Sequence, residues 1–165
     1  MFNLANHKNK LYNTLLILSR NIYFYKNMKL PDTFETRIYL MFFHFSIFLI
    51  ISKKKNKKFD QKTYDNLFHN IEYNLREQGL GDVTVNKKMK EFNKILYDIL
   101  LKIDLSNSAI DFKLNSTLIF NYFEALKDPK STNFKYFEEY FSSFFNFCFE
   151  LPLDNMIEKA IKFKY

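Results

Sequence analysis

Three histidines, one cysteine and two glycines stand among 165 residues, and none falls in a catalytic pattern. His7, His44 and His69 lack the paired spacing of a metal-binding helix, and Cys148 has neither a second cysteine nor a nearby histidine. Gly79 and Gly81 lack the third glycine and the preceding strand of a dinucleotide fingerprint. No nucleophile elbow or Walker loop occurs. The expectation is a protein without catalysis and without a cofactor or metal of its own. His44 lies in the most apolar stretch and reads as a hydrogen-bonded core histidine, and Cys148 among phenylalanines reads as buried packing.

Charged side chains are the more informative chemistry. Glu72 and Arg76 are four apart with the acid first, the favourable order on a helix. The plain reading is a surface salt bridge. The sharper one gathers Arg76, Glu77, Gly79, Gly81, Asp82, Lys87 and Lys88 at one end of a helix pair as a recognition surface. Lys53, Lys54, Lys55, Lys57 and Lys58 form a basic run behind an apolar segment, a pattern suited to an anionic membrane or to ribosomal RNA. Through Lys62 there are 12 basic and 3 acidic residues, whereas from Asp104 onward there are 7 and 9. The positive charge belongs to the N-terminal third.

These residues must be carried by helices. The chain is 47% hydrophobic and 19% aromatic with 3 prolines, too apolar for disorder and too sparsely punctuated for a β-fold. An all-α single domain over 1–165, a bundle of six or seven helices around a central antiparallel helix hairpin, is the expected fold. Helix one is expected over Lys8–Asn27, with Leu11, Leu15, Leu18, Ile22 and Tyr25 inward. Helix two is expected from Asp32, capped by Asp32 with Glu35 three residues on. Its stretch Ile38–Ile51 is uncharged over 14 residues, short of the roughly 20 that span a bilayer, and is expected to be core rather than membrane-bound.

Helix three should begin near Asp60, bury Tyr64, Leu67, Phe68, Ile71 and Leu75, and stop at Gly79 in a left-handed cap. Thr84 should cap helix four, whose stripe Val85, Met89, Phe92, Leu96, Ile99 and Ile103 is the cleanest in the chain. Further helices are expected over Ala109–Lys127 and Asn133–Glu150, and a short last one capped by Asp154. Nine of the sixteen residues 134–149 are aromatic. That helix has a wide apolar face that could shield an apolar client. The polar start Met1–Lys10 shows no signal or transit peptide, so a cytoplasmic protein, peripheral at most on the inner membrane, is expected.

From Asn70 the chain reads NIEYNLREQGLGDVTVNKKMKEFNKILYDIL, and earlier LPDTFETRIYLMFFH. Together these resemble the ubiquinol–cytochrome c chaperone family, whose blocks are V-P-D-T-x-x-G-R…L-H and L-R-E-x-G-V-G-D followed by K-x-x-K/M-K. The resemblance extends over about Asn9–Ile103. Thr36 replaces a usual Gly, Leu96-Tyr97-Asp98 an aromatic-Tyr-Gly step, and Asn70 and Glu72 two usual Asp. It implies an α-helical assembly factor for the cytochrome bc1 complex that assists newly made cytochrome b near the ribosomal exit and the inner membrane, with a small partner subunit a further expectation. It also implies partner or client contacts through Asp32, Arg37, His44, Arg76, Glu77, Gly79, Gly81, Asp82, Lys87 and Lys88. The competing readings are a basic RNA- or ribosome-binding module and a membrane-surface structural protein.

Overall fold

The computed structural model describes residues 10–106 and 112–165, and every regular element among them is helical. In chain order these are α1 (Lys10–Ser19), α2 (Ile22–Lys26), α3 (Phe34–Lys54), α4 (Gln61–Glu77), α5 (Asp82–Ser106), α6 (Ser116–Tyr122), α7 (Thr132–Phe149) and α8 (Met156–Lys159), with 3-10 turns at Glu124–Leu126 and Ala160–Lys162. The fold is all-α around one core.

Helix α3 organises that core because it has almost no polar face to offer to water. Every residue from Leu40 to Phe48 is buried, and α3 packs against α1, α5 and α7. Among the described residues it is the helix long and apolar enough to cross a membrane, and 72% of that window is buried inside the protein. Neighbouring helices take the place that lipid would occupy.

Several boundaries differ from the sequence expectation, most of them for a local hydrogen-bonding reason. Helix one is split. Asn21 accepts from the Tyr23 amide at 3.0 Å and restarts the helix, which turns Ile22 outward to 59% exposure and puts Phe24 and Met28 inside instead. Thr33, not Asp32, caps α3, its Oγ1 accepting from the Thr36 amide at 3.2 Å. Helix α5 starts at Asp82, with Gly81 O accepting from the Val85 amide, so Thr84 is already inside it. Residues 112–115 are not helical, and α6 begins at Ser116 under an Asn115 cap. Asp154 gives way to Asn155 at the N-terminus of α8, where no side chain accepts. His7 and the expected helix starts at Lys8 and Ala109 lie outside the described residues.

The stripes of α4 and α5 follow the expected spacing. Leu67, Phe68, Ile71 and Leu75 are buried from one, and Val85, Phe92, Leu96, Ile99 and Ile103 from the other, with Asp60 capping α4 through Thr63. The two helices pack on each other across the short connection 78–81. Gly79 in that connection has φ +85°, and a Cβ there would meet nothing within 4 Å. Gly79→Val therefore carries only a backbone penalty, about 1–2 kcal/mol, visible as a lower melting temperature. Gly81→Ala, at an ordinary φ, should leave the melt nearly unchanged.

The aromatic helix α7 faces inward. Phe134, Phe137, Tyr140, Phe141, Phe144, Phe145 and Cys148 are buried. Phe137 and Phe141 meet Phe43 at ring distances of 5.7 and 5.6 Å. The face expected to shield a client is thus covered by α3 of the same chain, because α3 offers the apolar surface that such a wide stripe requires.

Candidate functional site

The two sequence blocks meet in the fold. Glu35, on the first turn of α3, pairs with Lys88 Nζ of α5 at 3.3 Å, and the Phe34 and Phe92 rings lie 6.3 Å apart beside them. In the first block, Arg37 donates Nε and Nη2 to the same Asp32 oxygen at 2.9 and 2.6 Å. Releasing Asp32 from capping makes this pair possible. The hydrogen bond to Asp32 holds the Arg37 guanidinium above the usual arginine value against the opposing effect of burial.

In the second block, Arg76 clasps the α4–α5 connection. Its Nη2 donates to Glu72 at 3.0 Å, one turn back, and its Nη1 donates to Asp82 on the first turn of α5. The side chain is 42% exposed, yet both forks are already engaged within the chain. Asp82 first, then Glu72, keep the guanidinium above its ordinary value. Glu77, Gly79, Gly81, Asp82 and Lys87 are exposed around the clasp, and Lys88 is half-buried. Exposed ion pairs contribute little. Arg76→Lys is accordingly expected to leave the thermal melt close to that of the parent, and a large drop would make the clasp a main support of the fold.

His44 does not join this surface. It is fully buried and touches no solvent-facing partner, because α3 turns it toward α7. The Leu40 carbonyl lies 2.6 Å from Nδ1 and can only accept, so Nδ1 carries the proton and Nε2 accepts from the Tyr140 hydroxyl at 2.8 Å. Burial lowers its pKa to about 3, outweighing the Leu40 bond. The core-histidine reading holds and the contact reading is withdrawn.

Nor does the lysine run project as a block. Lys53 pairs with Asp104 at 2.9 Å and Lys57 with Asp154 at 3.1 Å. Lys55 Nζ donates to the carbonyls of Phe149 and Leu151 at 2.6 and 3.0 Å and sits 4.9 Å from the Phe149 ring centroid. The basic end of α3 thereby fastens the C-terminal end of α7, where unpaired carbonyls attract a cation. Lys58 is exposed.

Two features were missed from sequence. The face of α5 opposite its core stripe shows Val83, Lys87, Lys90, Lys94, Tyr97 and Leu101, all exposed, at the same alternation of three and four. Its signal was present in the spacing, displaced by two residues from the core stripe. The other is a cleft of about 520 Å³ lined by Arg20, Ile22, Tyr25, Asp32 and Arg37. It exists because helix one is broken, and nothing in the apolar periodicity announces that break. Among the described residues no group of three or more His, Cys, Asp or Glu side chains is placed to hold a metal ion.

A model of the family described as ubiquinol-cytochrome c chaperone matches residues 26–161, most of the chain. The chain belongs to that family. The match begins after α1 and runs through α7 and α8, so it takes in most of the C-terminal third, which lies beyond the Asn9–Ile103 span of the sequence resemblance. No curated protein and no solved structure matched the chain. In this ubiquinol-cytochrome c chaperone family member the Glu35–Lys88 pair joins the two blocks, and the Arg76–Asp82 pair lies within the second.

Proposed function

We propose that this chaperone of ubiquinol-cytochrome c reductase assists newly made cytochrome b without catalysis of its own, in the cytoplasm beside the inner membrane. The family match over residues 26–161 carries the reading. A contact surface for it is the outer face of α5. Lys87, Lys90 and Lys94 supply three exposed ammonium groups in register, and Tyr97 and Leu101 follow them at 62% and 60% exposure. A client segment emerging with an acidic edge and an apolar body would match both halves of that stripe. Glu77, Gly79, Gly81 and Asp82 border it in sequence and complete the proposed contact set, with Lys88 and Arg76 bracing it from within. The same lysines would serve a ribosomal or anionic lipid surface near the site of synthesis, and a small partner subunit belongs to the same proposal.

A deletion strain should lose haem-loaded cytochrome b and ubiquinol–cytochrome c activity while keeping the cytochrome b transcript. Complementation with the triple variant Lys87→Glu, Lys90→Glu, Lys94→Glu should fail although that protein accumulates and melts normally. Normal spectroscopic cytochrome b in the deletion strain would remove the reading. Salt-dependent RNA retention by the purified protein in that case would favour a basic RNA-binding module.

A further inference from the structure

The cleft at the break in helix one is built from elements other than α5, and we propose that it is a receptor for a phosphate ester. The chain leaves α1 at Ser19 and restarts at Ile22, which turns Arg20 and Ile22 outward into the same space as Tyr25, Asp32 and Arg37. Arg20 is exposed; its backbone amide is taken by the carbonyls of Leu16 and Ile17, while its guanidinium has no hydrogen-bond or ion-pair partner among the described residues. Two guanidinium groups therefore share one cleft with a single carboxylate, and that carboxylate is held by Arg37 alone. The site is one negative charge short.

A phosphate suits the deficit better than a single carboxylate does. Its three free oxygens can accept from two guanidinium forks approaching from different sides. The group fills only a small part of 520 Å³, leaving room beside it for the organic portion of an ester. Ile22, an apolar side chain 59% exposed, and the half-buried ring of Tyr25 offer the wall for that portion. Tyr25 is held in place by donating its hydroxyl to the Ser19 carbonyl at 2.7 Å. Lys26 and Lys29, exposed in the same segment, raise the local positive potential.

Asp32 gives the cleft an internal competitor. At 63% exposure it occupies the Nε and Nη2 donors of Arg37 that a ligand oxygen would use. Removing its charge should tighten binding, whereas removing Arg20 should abolish the second fork.

Two probes separate the sources of such a group: glycerol 3-phosphate followed by titration calorimetry, and phosphatidylcholine vesicles with and without phosphatidic acid followed by sedimentation. Arg20→Gln should weaken binding roughly tenfold or more, Asp32→Asn should strengthen it several-fold, and Lys130→Gln, the same charge lost from an exposed turn outside the cleft lining, should leave it unchanged. Arg20-dependent binding of the soluble ester assigns a free phosphate ester. Arg20-dependent binding to the acidic vesicles alone assigns a lipid headgroup. The proposal is overturned if neither probe binds, or if Lys130→Gln weakens binding as much as Arg20→Gln does. Both readouts use purified full-length protein and are independent of whether cytochrome b is the client.

Discussion

Phe141→Ala should destabilise the protein by about 3–5 kcal/mol, the range for truncating a fully enclosed phenylalanine. Phe141 has no exposed surface, and its ring meets those of His44, Phe137 and Tyr140 at 4.8, 4.9 and 4.9 Å and that of Phe43 at 5.6 Å. It stands where α3 and α7 interlock. Neighbouring rings are too rigid to collapse into the space, so both the transfer free energy and the cavity are charged to the folded state. Urea unfolding measures it. Val83→Ala, at 85% exposure, should change stability by no more than about 0.5 kcal/mol. A small effect at Phe141 would mean that α7 is not packed on α3 as described.

Mild acid should weaken the fold through one residue. His44 has a folded-state pKa of about 3 against about 6.5 in an unfolded chain. Below the higher value the unfolded chain takes up a proton that the folded protein refuses. Stability is therefore complete above that value and is lost as the pH falls toward the lower one. Between about pH 7 and about pH 5, where ordinary carboxylates remain ionised, the loss amounts to about 2 kcal/mol. Denaturant midpoints at the two pH values check it. The double variant His44→Leu, Tyr140→Phe removes the titrating group together with its hydroxyl partner, which avoids stranding either one, and its stability should be nearly flat over the same range. An equally steep loss in the double variant would place the sensitivity elsewhere.

What could be read in advance follows the range of the interactions. The stripes of α4 and α5 were legible because burial of one helical face repeats over many turns, and Gly79 because a helix end leaves few alternatives to a residue tolerant of positive φ. The broken first helix was not, because Leu18, Ile22 and Tyr25 continue the apolar period across it. One local hydrogen bond at Asn21 decides the matter. At the start of α3, Asp32 and Thr33 are both able to cap; Thr33 does so, and Asp32 pairs with Arg37 instead. The site residues were legible as types but not as neighbours. Glu35 and Lys88, or Lys55 and the carbonyls of Phe149 and Leu151, are brought together only by the fold. The wide aromatic face of α7 was correctly seen, but a single chain does not reveal that its complement is α3 rather than another molecule.

The lone thiol makes the molecule its own clock. Cys148 is wholly enclosed on the inner side of α7, and burial pushes its pKa up to about 12. Neither a reagent nor the thiolate form is available while the helix is docked. Alkylation in native buffer must wait for α7 to leave α3, so its rate reports how often the aromatic layer opens. Where chemistry outpaces reclosing, that rate is the opening rate itself. Where it does not, the rate gives the free energy of opening, obtained without denaturant and without introducing a label.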